Sequence, residues 1–184
     1  MHLKKLILFI GIILVSTYTI LVIMKPNKTE IPDTTNTQKI YSKSEVNCDY
    51  STMTCTTKSG SLITGVVYAY ANNNQVRLEI PVKNGVVDGI SKEYYENGKV
   101  YKETSLKNGK LDGIKKVYYK NGDLKFEGFY KDGKANGSFK TYHENGQIRL
   151  ESFYTNGLRN GVFKTYHENG TLESEITYKN DVRE

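Results

Sequence analysis

The second half of this chain repeats itself with a period of 24 residues. Internal repeats of this length are typical of arrays in which each unit is one supersecondary element that buries its apolar side chains against its neighbours. A degenerate copy with Gly65, Tyr70, Asn74 and Glu79 lies one period before the four clear ones. The columns are Gly85, Gly109, Gly133, Gly157; Gly89, Gly113, Gly137, Gly161; Lys92, Lys116, Lys140, Lys164; Tyr94, Tyr118, Tyr142, Tyr166; Gly98, Gly122, Gly146, Gly170; and Glu103, Glu127, Glu151, Glu175.

Each clear repeat carries an Asn-Gly pair between two strand-like segments. Asn-Gly is the strongest short-range signal for a type I′ hairpin turn, because both central residues of that turn need positive φ. The pairs therefore predict tight two-residue turns, and the second glycine cluster of each repeat, such as residues 108–113, predicts a wider connection to the next hairpin. The predicted turn residues are Asn97, Gly98, Asn121, Gly122, Asn145, Gly146, Asn169 and Gly170.

These turns fix a register for each hairpin. A two-residue loop at 97–98 places Lys92 opposite Glu103, and the same arithmetic pairs the other three lysines of the column with the other three glutamates. Opposite charges on facing residues support the register. The tyrosine column shares a face with these pairs, and the other face is predicted to be the apolar, packed one. Val100, Leu124, Ile148 and Leu172 are assigned to that second face.

The N-terminal segment predicts a membrane anchor. Leu6 to Met24 contains no charged residue, and Lys4, Lys5, Lys25 and Lys28 flank it. As a helix this run spans roughly 28 Å, about the hydrocarbon thickness of a bilayer. We expect an uncleaved signal anchor, and a cleaved signal peptide is the alternative. The predicted organisation is a cytoplasmic N-terminus (1–5), a transmembrane helix (6–24), a polar spacer (25–47), a degenerate first repeat region (48–84) and four clear repeats (85–184).

The compartment follows from the same segment. A short basic N-terminus before a long C-terminal domain favours a single-pass protein with the repeat domain outside the cytoplasm. Cys48 and Cys55 lie on the exported part and flank a hairpin-like turn. A disulfide between them is sterically reasonable in an oxidising compartment, and two free cysteines are the alternative.

Charge and motif content argue against several functional classes. The net charge is +6, but residues 85–184 hold 17 basic and 15 acidic side chains, so no one-signed patch for nucleic acid is expected. His143 and His167 share a repeat column without further ligands at metal spacing. Each repeated glutamate faces a lysine, which predicts ion pairs rather than acid–base catalysis. We expect no enzyme activity, no metal and no cofactor.

The repeats resemble the MORN repeat family. Residues 126–137, Phe-Glu-Gly-Phe-Tyr-Lys-Asp-Gly-Lys-Ala-Asn-Gly, follow the MORN pattern with Phe126 in place of its first tyrosine. The other repeats have Thr104, Ser152 and Ile176 where this one has Gly128. Their Tyr-x-x-Asn-Gly and Asn-Gly-x-x-x-Gly signatures are similar to the bacterial variant form of the repeat. The fold expected is therefore all-β: an elongated antiparallel sheet of repeated hairpins, a MORN-like meander, after one N-terminal transmembrane helix.

The resemblance also guides the expected function. Bacterial proteins of this type are often labelled antitoxin-like, and eukaryotic MORN proteins resemble scaffolds apposed to membranes. We expect a non-catalytic, membrane-anchored module that binds an unknown protein partner, such as a toxin or an envelope protein. Alternatives are an antitoxin or immunity protein, and a cell-envelope module for carbohydrate or lipid. The expected binding face is the tyrosine column Tyr94, Tyr118, Tyr142 and Tyr166.

The predicted orientation can be tested with protease. If residues 6–24 anchor the chain with its repeats outside the cytoplasm, protease added to intact spheroplasts should digest the repeat domain, as followed by immunoblotting. A cytoplasmic marker protein is the control and should stay intact. Repeats that survive until the cells are lysed would reverse the orientation.

Overall fold

The structure is a computed structural model that describes residues 39–184, and this part of the chain contains strands and no helix. The predicted anchor at 6–24 lies outside the described residues, and within 39–184 no helix is long and apolar enough to cross a bilayer. The strands are β1 (Ile40–Ser42), β2 (Val46–Asp49), β3 (Thr54–Thr57), β4 (Gly65–Tyr70), β5 (Val76–Lys83), β6 (Val86–Val87), β7 (Gly89–Tyr94), β8 (Val100–Lys107), β9 (Lys110–Tyr118), β10 (Leu124–Lys131), β11 (Lys134–Tyr142), β12 (Ile148–Thr155), β13 (Leu158–Arg159), β14 (Gly161–Tyr166), β15 (Leu172–Lys179) and β16 (Val182–Arg183).

All sixteen strands belong to one sheet. From β7 to β12 the strands follow chain order, and each is antiparallel to the next. The array continues through β14 and β15, which form the last repeat hairpin. Within residues 39–184, the single parallel pair joins β1 to β4. The expected all-β antiparallel hairpin meander is confirmed for the described residues.

Strands β1–β6 form a compact unit before the clear repeats. Its buried apolar cluster includes Ile63 and Val67, each 1% exposed, so the most deeply buried side chains of the described chain lie here rather than in the repeats. Strands β4 and β5 are the hairpin of the degenerate repeat. The predicted spacer 25–47 extends too far toward the C-terminus, because β1 pairs with β4 and Val46 is buried in the cluster.

The Asn-Gly turns differ from the prediction. In the turn after β9, the Tyr119 amide donates to the Asp123 carbonyl and the Gly122 amide donates to the Tyr119 carbonyl. This pattern encloses three loop residues, and only Gly122, with φ +101°, has positive φ. A type I turn followed by a left-handed glycine has this form. The predicted type I′ turns at Asn97-Gly98 and its three equivalents are therefore wrong.

The asparagine of each three-residue turn serves another purpose. The side-chain Oδ1 of Asn121 accepts a hydrogen bond from the backbone amide of Asp123 at 2.9 Å. The same bond recurs at Asn97, Asn145 and Asn169. Asparagine favours such turns because its short side chain can bond to the backbone two residues ahead. The residue is thus selected for its side-chain acceptor and not for positive φ.

The type I′ turns lie instead at the other connection of each repeat. Asn108 and Gly109 both have positive φ, at +48° and +76°, and they join Lys107 to its register partner Lys110. Positive φ at both central residues recurs at residues 132–133, 156–157 and 180–181. The tight and the wider connection are therefore exchanged relative to the prediction.

A β-bulge follows every three-residue turn and restores the predicted register. Tyr118 pairs with Leu124, but the preceding Val117 pairs with Phe126, so Lys125 is the extra residue of β10. Beyond it, Lys116 pairs with Glu127 as predicted. The register shifts at the same place in the other three hairpins, and all four predicted lysine–glutamate pairs are confirmed. The extra residues are Tyr101, Lys125, Arg149 and Glu173.

The bulge also changes which face some side chains occupy. Directly opposed residues of an antiparallel pair project from the same face. Leu124 is opposed to Tyr118, so it shares the face of the tyrosine column and not the opposite face. The same correction applies to Val100, Ile148 and Leu172, which are opposed to Tyr94, Tyr142 and Tyr166.

The two turn types predict different responses to the same substitution. Asn121→Gly removes the side-chain acceptor and adds a flexible residue at negative φ, which should lower the free energy of unfolding by about 1–2 kcal/mol. Asn156→Gly should change it by less than about 0.5 kcal/mol, because Asn156 has φ +52° and glycine adopts that conformation readily. Urea unfolding measures both. Equal losses in the two variants would contradict the assignment of turn types.

Candidate binding surface

The repeated lysines and glutamates form one continuous row across the sheet. Glu103 pairs with Lys92 within its hairpin and with Lys116 of the next repeat, and the same double pairing recurs at Glu127 and Glu151. Each lysine of the row therefore lies between two glutamates. The row, called here the charge ladder, is Glu79, Lys92, Glu103, Lys116, Glu127, Lys140, Glu151, Lys164 and Glu175.

Three of the ladder's within-hairpin pairs, those of Lys92, Lys140 and Lys164, form partly exposed ion pairs. The Nζ of Lys140 lies 3.0 Å from an Oε atom of Glu151, and the Nζ of Lys164 lies 3.2 Å from one of Glu175. Exposed pairs contribute only about 0–1 kcal/mol each. Alternating charge stabilises the register mainly because a shift of one residue would move every ladder residue to the opposite face.

The predicted binding tyrosines lie beside the ladder and are bonded to it. The Tyr118 hydroxyl donates to Glu103 at 2.9 Å, and the Tyr142 hydroxyl donates to Glu127 at 2.8 Å. Tyr94 and Tyr166 make the same bond to the glutamate 15 residues before them. The pKa of the Tyr118 and Tyr142 hydroxyls is raised to about 12. Burial is the largest cause, and the hydrogen bonds and charge of these carboxylates are the next. Their hydroxyls are thus engaged within the sheet, which leaves the rings to offer contact area.

An exposed apolar row lies on the other side of the ladder, on the same face. Phe129 is two residues after Glu127, and Ile114, its register partner, is two residues before Lys116. Successive side chains of a strand alternate between faces, so this spacing places the row and the ladder together. The row, called here the apolar row, contains Ile90, Ile114, Phe129, Phe153 and Val162, which are 42–52% exposed.

Together these three rows define the Lys–Glu face. The tyrosine row, which alternates with Val100, Leu124, Ile148 and Leu172, lies nearest the three-residue turns, and the apolar row lies nearest the type I′ turns. The ladder runs between them. Sequence reasoning identified the tyrosines and the lysine–glutamate pairs within hairpins, but it missed the pairing between repeats and the apolar row. The signal for the row is an apolar residue two positions from a ladder residue.

The opposite face holds the hairpins together through aromatic packing and is called here the aromatic face. Phe139, 8% exposed, packs against Tyr154 at 4.8 Å between ring centroids, and Phe163 packs against Tyr178 at 4.9 Å. Tyr154 and Phe163 join these pairs at 5.5 Å. Aromatic pairs at such distances add stability beyond their buried area. The aromatic rings of this face therefore pack mainly against one another.

A hydrogen-bonded column links successive repeats near the three-residue turns. The Tyr119 hydroxyl donates to the Tyr142 carbonyl at 2.6 Å, and the His143 Nε2 lies 2.9 Å from the Tyr166 carbonyl. Tyr95 makes the equivalent bond to Tyr118. His143 thus bonds to the next repeat. No group of three or more His, Cys, Asp or Glu side chains within residues 39–184 is arranged to hold a metal ion.

The two cysteines are joined in the unit formed by β1–β6. Cys48 and Cys55 are direct register partners on β2 and β3, and their sulfur atoms form a disulfide. Cys55 is 1% exposed within the buried cluster. The bond therefore joins the two strands of this hairpin, and Cys55 packs within the buried cluster.

Comparison with known protein families gives a match to the repeat region. The profile of a family described as a MORN repeat variant matches four consecutive segments, residues 87–108, 111–132, 135–156 and 159–180. Each matched segment contains one three-residue turn and the strands that flank it. A search of curated proteins found no match to the chain.

A charge exchange distinguishes a continuous ladder from isolated ion pairs. The double variant Lys140→Glu/Glu151→Lys keeps its own pair but places like charges against Glu127 and Lys164. We expect a loss of at least about 1 kcal/mol in the free energy of unfolding at low salt, because two like-charged contacts are created and the Tyr166 hydroxyl loses its acceptor on Glu151. The loss should shrink in 1 M salt, where the Debye length is about 3 Å. Thermal and urea unfolding measure both effects.

The aromatic face offers a matched control for this exchange. Glu93 and Lys102 form an ion pair whose outer neighbours are Leu78 and Val117, so exchanging them creates no like-charged contact. Glu93→Lys/Lys102→Glu should therefore leave stability nearly unchanged. If the two exchanges have the same effect, the lysine–glutamate pairs act independently and there is no ladder.

Proposed function

We propose that this chain, which belongs to the MORN repeat variant family, is a non-catalytic interaction module that binds a protein across the Lys–Glu face of its repeat sheet. The observation that carries the proposal is the apolar row. Its five side chains are 42–52% exposed, and they lie beside the charged ladder. Aligned exposed apolar side chains bordered by polar residues mark interaction sites on protein surfaces.

The arrangement of the face fits a protein partner better than a small ligand. Protein interfaces combine apolar and aromatic contact area with charged groups that set orientation and exclude wrong partners. The Lys–Glu face provides both, through the apolar row and the ladder. Its tyrosine hydroxyls are already bonded to Glu79, Glu103, Glu127 and Glu151, so these four groups are not free to donate hydrogen bonds to a sugar ligand.

The aromatic face is less suited to the same role. Its rings contact one another, and its Glu93 and Lys102 side chains form a local ion pair. A partner on this side would compete with contacts that hold the hairpins together. We therefore assign binding to the Lys–Glu face.

The proposed setting is the outer side of a membrane. Residues 6–24 would tether the chain, and the disulfide between Cys48 and Cys55 suits an oxidising compartment. In this setting the module acts as a scaffold that presents a row of equivalent binding positions, one for each repeat. The tether and the compartment rest on the sequence of the N-terminal segment.

Site-specific photo-crosslinking in the native membrane tests the proposal. A photoreactive residue at Ser138, which lies between Phe129 and Phe153 on the Lys–Glu face, should capture a protein. The same residue at Lys125, an exposed position on the aromatic face, is the matched control and should capture little. Phe129→Ser/Phe153→Ser should abolish capture from position 138.

The captured species decides between the alternatives. A toxin would make the chain an immunity protein, and an envelope protein or a second copy would make it a scaffold. Equal capture from positions 125 and 138, or capture of lipid or glycan alone, would contradict the assignment of a protein-binding Lys–Glu face.

A further inference from the structure

Two rows of the Lys–Glu face, the ladder and the tyrosine row, repeat every two strands. Along successive strands the ladder alternates lysine with glutamate, and the tyrosine row alternates tyrosine with Val100, Leu124, Ile148 or Leu172. In both rows the two residue types complement each other: opposite charges in one, an aromatic ring and an aliphatic side chain in the other. A surface that contains both halves of each contact can bind itself.

We infer that the protein bound by the Lys–Glu face is a second copy of this chain, packed face to face about a two-fold axis parallel to the strands, between β9 and β10. The inference rests on the proposed binding face. A two-fold axis generates an isologous interface, in which each contact occurs twice. Such an axis along the strands reverses the strand order of the second copy and keeps each row opposite itself.

The ladder determines that the axis lies between strands rather than on one. An axis through a strand places each ladder residue opposite its own kind, lysine on lysine and glutamate on glutamate. An axis between β9 and β10 instead places Lys116 opposite Glu127 of the second copy, and Glu103 opposite Lys140. Lys92 then faces Glu151, and Glu79 faces Lys164. Every ladder contact across this interface joins opposite charges.

The apolar row determines which gap between strands holds the axis. Read from β7 to β12, the row and its intervening residues are Ile90, Ser105, Ile114, Phe129, Ser138 and Phe153. The sizes of these six side chains, in strand order, are large, small, large, large, small and large. This pattern is symmetric about the gap between β9 and β10. The two-fold axis there places Ile114 on Phe129 and Ser105 on Ser138. Moving it to the gap between β10 and β11 would place Phe129 on a serine.

The face is large enough for a stable pair. The ladder from Glu79 to Lys164 crosses eight strands, or about 35 Å at the usual strand spacing. The three rows are about 20 Å wide with their side chains. Together they cover on the order of 700 Å² per copy, close to the roughly 800 Å² per partner of a standard stable interface. Two sheets packed in this way form an aligned β-sandwich.

Complementary charge variants test the interface. In the full-length chain in detergent, Lys116→Glu alone places glutamate against Glu127 of the second copy, twice per dimer. Glu127→Lys alone places lysine against Lys116 in the same way. Each variant should dimerise at least about tenfold more weakly than the wild type in analytical ultracentrifugation at low salt. An equimolar mixture of the two variants restores both contacts and should form heterodimers.

A second pair of variants tests the register. Ser105→Cys and Ser138→Cys lie three strands apart in one copy, about 14 Å, too far for a disulfide within the chain. Across the proposed interface they face each other. Differently tagged chains carrying one substitution each should form mixed disulfide dimers in the mixture, while neither variant alone crosslinks. Circular dichroism of all variants verifies that they fold.

The outcomes separate this inference from the proposed function. A wild-type chain that stays monomeric, or charge variants whose mixture forms no heterodimer, would overturn the self-pairing. If position 138 still captures a different protein in the membrane, the binding face stands and only the identity of its partner is wrong. If position 138 captures no protein and the chain is monomeric, both proposals fail.

Discussion

A three-residue turn displaces the register of a hairpin by one residue, and the bulge beside it displaces the register back. This compensation underlies the whole repeat sheet. Lys125 is skipped in the pairing of β10. Leu124 and Glu127 therefore both project from the Lys–Glu face, although their residue numbers differ by three and a regular strand would place them on opposite faces. Without the bulge, a side-chain period of two would place the ladder and the aliphatic half of the tyrosine row on opposite faces.

The stability of the sheet is distributed over many modest contacts. The repeats contain few fully buried side chains, and the ion pairs of the ladder are weak individually. Successive hairpins are joined by tyrosine hydroxyl bonds on both faces and by ring contacts on the aromatic face, such as that of Tyr154 with Phe163. The unit of β1–β6, with its buried cluster around Ile63 and Val67, begins the array with a packed core. Nearest-neighbour contacts of this kind are characteristic of repeat proteins.

The sequence predicts the repeat and its charge pairs well, because these depend on spacing alone. The lysine–glutamate pairs within hairpins were predicted correctly from a wrong turn: a two-residue loop gives the same register as a three-residue loop plus a bulge. The sequence predicts positive φ at Asn121, and this is wrong. Asparagine is favoured in turns both at positive φ and as a side-chain acceptor, and the sequence does not distinguish these two roles.

The binding surface was predicted only in part. The sequence predicts Tyr118 as part of the binding face. It does not predict the bond of Tyr118 to Glu103 of the preceding repeat, because that bond depends on pairing between hairpins and the turns fix the register only within each hairpin. The apolar row was missed for the same reason, since Ile114 and Phe129 become neighbours only once the register and the faces are known. Prediction from periodicity therefore succeeds within a hairpin and fails where contacts cross from one hairpin to the next.

Backbone contacts at Tyr142 test the compensation of turn and bulge most directly. In solution NMR, interstrand Overhauser effects should join Tyr142 to Ile148 and Thr141 to Leu150, with Arg149 skipped between them. A hairpin with a two-residue turn and no bulge would also join Thr141 to Leu150, but it would join Tyr142 to Arg149. Contacts from Tyr142 to Ile148 support the account, and contacts from Tyr142 to Arg149 would contradict it.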